Sequence, residues 1–256
     1  MTSPLDNGNI VKRFKNGELT IGTFLGLASP LAAEVAAVSG VDWVLLDLEH
    51  GGGGEEQLSP TVLASGAYGI PTLVRVESAE RIRIGRALDA GAAGVMVPRL
   101  ESAEQVSKAL SHFAYPPFGD RGVASYNRAA AWGLNPKALE SAKKAAAIIQ
   151  IETLGALAEV DEIASIEGVD VLFVGPLDLS YALGMPGDFK NPAFIEALKK
   201  VVSAANRFGK IPGILSANSE TARGHIELGF KFIALSSDSV LLSRSIIENL
   251  EKVRGK

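Results

Sequence analysis

Eight short apolar runs recur along the chain with amphipathic stretches between them, and few folds accommodate that alternation. The runs are Leu19–Leu27, Trp43–Leu48, Pro71–Val76, Gly94–Val97, Ala146–Ile151, Val169–Val174, Ile211–Leu215 and Phe230–Leu235. Helix-like segments separate them, among them Pro30–Ser39, Glu80–Ala90, Ala103–Phe113, Ala156–Ile166 and Pro192–Phe208. In "SAERIRIGRALDAG", Ile82, Ala87 and Leu88 suit one helix face, and Gly91 marks the stop. Strands alternating with helices predict parallel βαβ units. Eight such units in 256 residues predict one α/β domain over residues 1–256, a closed (β/α)8 TIM barrel rather than an open sheet. The short helix Ile10–Lys15 is expected to cap the bottom of the barrel. The one long irregular connection is "YPPFGDRGVASYNRAAAWGLNP", residues 115–136, and a connection of that length is usually functional or part of an interface.

Composition narrows the function classes. An apolar content of 47% suffices for one large core. The net charge is −4, from 25 basic and 29 acidic residues, with no basic stripe interleaved with aromatics, so no nucleic-acid partner is expected. The absence of cysteine excludes disulfides, thiolate metal sites and a cysteine nucleophile. Residues Met1–Asn9 are polar, and no apolar run reaches the roughly 18 residues of a membrane span, so a soluble, cytoplasmic protein with no membrane partner is expected.

In a barrel of this kind the active site lies at the carboxyl-terminal ends of the strands. The second run ends in Asp47, Glu49 and His50, followed by four glycines. The third carries Arg75, the fifth carries Gln150 and Glu152, and the sixth ends in Gly175-Pro176-Leu177-Asp178. Polar groups of four strands therefore converge on one rim. Each has a plainer explanation. A lone histidine is more often a structural hydrogen-bonder than a catalyst. Arg75 could pair with Glu77 or a helix carboxylate, although burying a charge in that way seldom stabilises a core. Glu152 and Asp178 could cap helices or sit in their first turns. The conjunction weighs against these separate explanations.

Glu152 and Asp178 are separated by 178 − 152 = 26 residues, about one βα unit, so they project from neighbouring strands toward a common point. Two facing carboxylates repel unless a cation sits between them. Oxygen ligands suit Mg²⁺ or Mn²⁺, with water or substrate in the remaining positions, and the lack of a second nearby histidine argues against a typical zinc site. No G-x-G-x-x-G after a strand, Walker A or G-x-S-x-G motif is present; "HGGGG" fits a phosphate-cradling loop or a flexible turn equally well. Lys210 and Lys231 precede or open strands and belong at the bottom, which counts against a Schiff-base aldolase.

The segments "GTFLGLASPLAAEVAAVSGVDWVLLDLEHG", "RALDAGAAGVMVPRLESAEQV", "PPFGDRG", "IIQIET" and "FVGPLDLS" together resemble the HpcH/HpaI aldolase family, the hydroxy-oxo-acid class II aldolases, from about residue 19 to 240. The resemblance implies a phosphoenolpyruvate/pyruvate-type barrel, often a hexamer (a trimer of dimers) whose last helix swaps onto a neighbouring subunit. It implies that Glu152 and Asp178 bind a divalent metal, that Arg75 holds the pyruvyl oxygen, and that His50 with Asp47 organises acid/base chemistry. Asp89 is similar to an acid that reaches a neighbour's site, Gln150 to a support of the ligand shell. The amides around Gly175, Pro176, Leu177 and Asp178 are similar to a receptor for the substrate carboxylate. Leu177 stands where the family usually has a small or polar residue, and "VASYNRAAAWG" departs from the commoner pattern, which bears on the acceptor aldehyde.

The expected function is therefore a Mg²⁺-, Mn²⁺- or Co²⁺-dependent aldolase that cleaves 4-hydroxy-2-oxo acids to pyruvate, or a close 2-oxo acid, and an aldehyde through an enolate. Rival readings are a CoA-thioester lyase, an oxaloacetate decarboxylase, or a barrel that binds without chemistry.

Overall fold

A computed structural model describes residues 10–140 and 145–255. Eight parallel strands pair in chain order: β1 (Thr20–Leu25), β2 (Trp43–Asp47), β3 (Thr72–Arg75), β4 (Gly94–Val97), β5 (Ala146–Gln150), β6 (Val171–Val174), β7 (Ile211–Ser216) and β8 (Phe232–Ser237). β8 returns to β1, with Thr20 opposite Phe232, so the sheet closes and leaves no free edge. This is the expected (β/α)8 barrel, with helical structure after every strand. The observed strand ends lie within two residues of the expected ones.

Alternation along each strand decides what fills the barrel. Trp43, Leu45, Leu73, Met96, Ile148 and Phe173 share one inner cluster, while Leu46, Val74, Val95, Ile149 and Leu172 pack outward among the helices. At the bottom, Trp43 stacks on Phe232 with ring centroids 4.2 Å apart. Gly22 makes room for this indole: a β-carbon there would collide with the Trp43 ring and carbonyl. The helix Ile10–Lys15 caps this end, as expected. Its Ile10 and Phe14 join the inner cluster, and Phe14 meets Phe232 edge-on at 5.6 Å. Each of the two buried side chains contributes about 1.5–3 kcal/mol.

Three expectations change. Ile82 is exposed, and the helix Arg81–Asp89 buries Ile84, Ala87 and Leu88 instead, the set that matches the 3.6-residue period. The segment Ala156–Ile166 is two short helices, Leu154–Ala158 and Val160–Ser165, separated at Glu159, whose carboxylate accepts the Ala103 amide at 2.8 Å. The irregular 115–136 stretch includes the 3-10 segment Arg128–Gly133, packed beside the helix Arg81–Asp89, and runs into a second, Pro136–Glu140. The last helix, Asp238–Arg254, buries none of its residues and exposes Leu242, Ile246, Ile247 and Val253. Among the described residues no helix is long and apolar enough to cross a membrane.

Candidate active site

The same alternation that buries Leu45, Leu73 and Ile148 points the next inward residues, Asp47, Arg75 and Gln150, into the mouth of the barrel. Strand register places Asp47 directly beside Arg75. The guanidinium grips that carboxylate with two bonds, Nε to Oδ1 at 2.8 Å and Nη2 to Oδ2 at 2.6 Å. Nη1 stands 3.1 Å from Glu49 Oε2. Arg75 therefore pairs with the end of the neighbouring strand and not with Glu77. Its guanidinium lies over the Phe24 ring, 5.1 Å from the centroid, so packing from below fixes its height. Two of its five N–H bonds are committed to Asp47, and Nη1 is ion-paired with Glu49, which leaves hydrogens on both terminal nitrogens available.

Asp47 also shapes the turn after β2. Its Oδ1 accepts the backbone amides of Glu49 at 3.1 Å and His50 at 3.3 Å. The expected pairing of Asp47 with His50 thus runs through the backbone and not through the imidazole. The ring is 65% exposed, and its Nε2 lies 3.9 Å from Glu49 Oε2. Burial raises the pKa of Glu49, opposed by the charges of Arg75 and His50.

Glu152 follows β5 by two residues and keeps the inward phase of Gln150. It is 3% exposed. Its Oε1 accepts the Arg99 backbone amide at 2.9 Å, and its Oε2 accepts Gln150 Nε2 at 2.5 Å. Neither contact is a helix cap; Thr153 caps the following helix. Burial first, and then the charges of Asp178 and Glu49 against the relief given by the Arg99 amide and Arg75, push its pKa up to about 7. Gln150 Oε1 is buried without a partner among the described residues. Gly175 lies against this pair: a β-carbon there would come within 2.5 Å of Glu152 Oε2. The glycine at the start of the sixth loop therefore keeps the space above Glu152 open.

Asp178 lies in the first turn of the helix Pro176–Ala182 and accepts no side-chain capping bond among the described residues. It forms an ion pair with Arg99, whose Nη1 is 3.7 Å from Asp178 Oδ1. Pro176 has no N–H, so the first amides of that helix are those of Leu177 and Asp178, which the helix itself leaves unbonded. Leu177 is exposed on the rim.

The structure thus brings together Asp47, Arg75, Gln150, Glu152, Gly175 and Asp178, with His50 at the edge. It does not bring Asp89 there. Asp89 ends its helix at the opposite end of the barrel and accepts a bond from Arg121 Nη2 at 2.5 Å. Arg121 is buried over the Tyr115 ring, with its guanidinium 4.6 Å from the centroid. Sequence reasoning missed Arg99, which touches both carboxylates, one through its amide and one through its side chain. It lies two residues past the end of β4, after Pro98. Its backbone sits at φ 56, a conformation that costs a non-glycine residue about 1–2 kcal/mol.

This geometry can be set beside known proteins. The HpcH/HpaI aldolase/citrate lyase family model matches residues 20–245. A hydroxypyruvate/pyruvate aldolase from Paraburkholderia phytofirmans is 38% identical, covering 99% of this chain and 98% of that one. A 4-hydroxy-2-oxo-heptane-1,7-dioate aldolase from Salmonella arizonae is 36% identical, covering 90% of this chain and 88% of its own. The crystal structure of a family protein from Burkholderia cenocepacia superposes with a TM-score of 0.92 at 35% identity, over 96% of this chain and 98% of that one. A match that begins at β1, takes in every rim residue described above and extends over the whole barrel leaves one assignment: the chain belongs to the HpcH/HpaI aldolase/citrate lyase family.

Proposed function

We propose that this chain is a divalent-cation-dependent aldolase that reversibly cleaves 4-hydroxy-2-oxo acids to pyruvate, or a close 2-oxo acid, and an aldehyde. The observation that carries the reading is Glu152. It is a carboxyl group buried in the mouth, repelled by Asp178 and Glu49 and shifted to about 7, with an orphaned Gln150 oxygen beside it. A cation at this point removes the repulsion, and an all-oxygen donor set suits Mg²⁺, Mn²⁺ or Co²⁺. Glu152 and Asp178 would hold it. When bound, such an ion polarises a 2-oxo group as a Lewis acid.

The chain's own residues account for the rest. The Arg75 terminal hydrogens not bonded to Asp47 are donors for the oxygen on which charge develops. The amides of Leu177 and Asp178 suit the substrate carboxylate. In cleavage, a base organised around His50, Glu49 and Asp47 takes the proton of the C4 hydroxyl. The C3–C4 electrons stay on C3 as the enolate of pyruvate, the aldehyde leaves, and protonation of C3 completes the reaction. The relatives named for aldolase activity support a carbon–carbon lyase over a non-catalytic barrel. The citrate lyase part of the family description supports a second reading, cleavage of a CoA thioester through the same kind of enolate.

The unburied helix Asp238–Arg254 supports a homo-oligomer, which we take to be a hexamer with this helix swapped between subunits. In that assembly Asp89 would serve a neighbour's site while still sharing Arg121. Small, diffusible substrates suit a cytoplasmic enzyme.

The test is exchange of the methyl protons of pyruvate with deuterium, followed by an aldehyde screen. Exchange is expected with added Mg²⁺, Mn²⁺ or Co²⁺ and is expected to vanish reversibly on chelation. Full exchange after exhaustive chelation, with no metal found by elemental analysis, would overturn the reading.

A further inference from the structure

The loop after β2 carries Glu49 and His50 and then four glycines, and it lies backbone to backbone on the turn after β1. The Gly52 amide donates to the Gly26 carbonyl at 2.9 Å. A β-carbon on Gly51 would collide with the Asp47 carbonyl oxygen, and one on Gly53 would come within 2.5 Å of the Ala28 side chain. The run "HGGGG" is therefore shaped by the close approach of two backbones.

His50 depends on that seat. Its ring is exposed, and the 3.9 Å from Nε2 to Glu49 Oε2 is longer than a hydrogen bond, so the backbone must place the imidazole. On the β2 side, Asp47 Oδ1 accepts the amides of Glu49 and His50. On the other side stands the Gly52–Gly26 bond, and Gly26 in turn hangs from the far end of the chain. Asp238, the first residue of the last helix, accepts the Gly26 amide at 2.8 Å and the Leu27 amide at 3.2 Å, both at Oδ1. Leu27 is exposed, so burial of its side chain does not hold the turn. Ala28 follows at φ 49, a left-handed conformation that persists only where its surroundings impose it. Bonds to an ionised carboxylate are the stronger kind, and here one such carboxylate grips two successive amides.

On the aldolase reading above, we propose that Asp238 is a positioning residue: it fixes the turn after β1 and, through the two hydrogen bonds of Gly26, the loop that places His50. It acts through Gly26 and Gly52 and not on the substrate. The last helix, whose Leu242, Ile246 and Ile247 stay outside the barrel, therefore begins at the residue from which the acid/base loop hangs.

The test compares the full wild-type chain with Asp238→Ala, first by amide hydrogen exchange of segment 48–54, read by mass spectrometry. Asp238→Ala is expected to speed exchange there by about tenfold to a hundredfold, the loss of a bond to a charged acceptor, while β4 stays as slow as in wild type. The second measurement, with Mn²⁺ supplied, is cleavage of a 4-hydroxy-2-oxo acid. Here kcat is expected to fall by about tenfold to a hundredfold with KM little altered, as displacement of a reacting group does. In the His50→Ala background the same substitution should cost less than about twofold, because its effect passes through His50. A merely structural role would lower both backgrounds alike. Unaltered exchange in 48–54, or equal losses of kcat in both backgrounds, would overturn the proposal. If wild type cleaves no such acid, the aldolase reading falls, and the exchange measurement alone decides whether Asp238 holds the loop. Should Asp238→Ala fail to fold, Asp238→Asn takes its place, since its neutral oxygen accepts these amides more weakly. The shifts expected are then smaller, and the same two results overturn the proposal.

Discussion

At the amino-terminal end of the barrel, Asp42 accepts the Ile21 amide at 2.7 Å and an Arg13 Nη1 bond at 2.8 Å, and Asp170 accepts the Ala147 amide at 2.8 Å. Each aspartate precedes a strand and laces it to the head of its neighbour. At the carboxyl-terminal end, Glu152 accepts an amide bond from Arg99 and one from Gln150, and its pKa climbs to about 7. The same residue class is satisfied by the chain at one end and left in mutual repulsion at the other. Hydrogen bonds to backbone amides favour the charged carboxylate, whereas burial beside like charge disfavours it. The lower end is built to hold strands together, and the upper end is built to take something in.

Substitutions at the two ends should therefore separate. Glu152→Ala is expected to show the largest effect, a loss of roughly a thousandfold or more in pyruvate exchange together with loss of metal binding by calorimetry, since each oxyanion-stabilising element alone is worth about 10²–10³. Its thermal unfolding temperature should not fall. Unfolding well below that of wild type would mean that Glu152 serves the fold and that the contrast between the ends is wrong.

Arg75→Lys should follow, at about 10² to 10³ in turnover, or roughly 2.7–4 kcal/mol. An ammonium puts its three hydrogens on one nitrogen and cannot grip Asp47 from two nitrogens while a third faces the substrate. Pyruvate exchange and aldol cleavage should fall in parallel; a selective loss of cleavage would move Arg75 to the aldehyde side.

The metal-free chain should also record the upper end's repulsion as a pH dependence. The Glu152 pKa is raised from 4.5 to about 7, so the folded state binds this proton more tightly than the unfolded state does. Stability is then greatest below about pH 4.5, as far as this group is concerned. It declines as pH rises through about 7, by about 3 kcal/mol in all. Glu152→Gln should flatten that part of the denaturation profile, and a profile identical to wild type would count against a buried, unrelieved carboxyl group.

Asp42→Ala should give the smallest effect and of the other kind. Leaving the Ile21 amide unpaired should cost about 1–2 kcal/mol in urea unfolding, with turnover of the folded enzyme unaltered. A loss of turnover at temperatures where the variant is folded would blur the distinction.

Much of this was legible in the sequence, because strand alternation is a local property. Residues that alternate with Leu45 and Ile148 must share their face, so Asp47, Gln150 and Glu152 could be placed at the mouth from spacing alone. The Arg75–Asp47 bond was less legible, since it depends on register between two strands and register is set by packing. The exposed Ile82 shows the same gap: a nine-residue helix offers two competing apolar stripes, and only the neighbouring strands decide between them. Arg99 escaped because its role rests on a left-handed backbone conformation and on a carboxylate 53 residues away. Neither leaves a mark in composition or periodicity.

The inward phase of β5 makes the set of polar groups at the mouth sensitive to reading frame. Deleting one residue between Ala146 and Gln150 while pairing with β4 and β6 is kept would present Ile149 and Ile151 to the mouth and turn Gln150 and Glu152 into the helical layer. The irregular stretch at 115–136 lies outside every strand and can change length without moving any of these groups. Lineages descending from this chain should therefore gain and lose residues freely in that stretch and hardly ever inside β2, β3 or β5. Novel acceptor preferences would arise through loop length, while the enolate chemistry stays where strand parity put it.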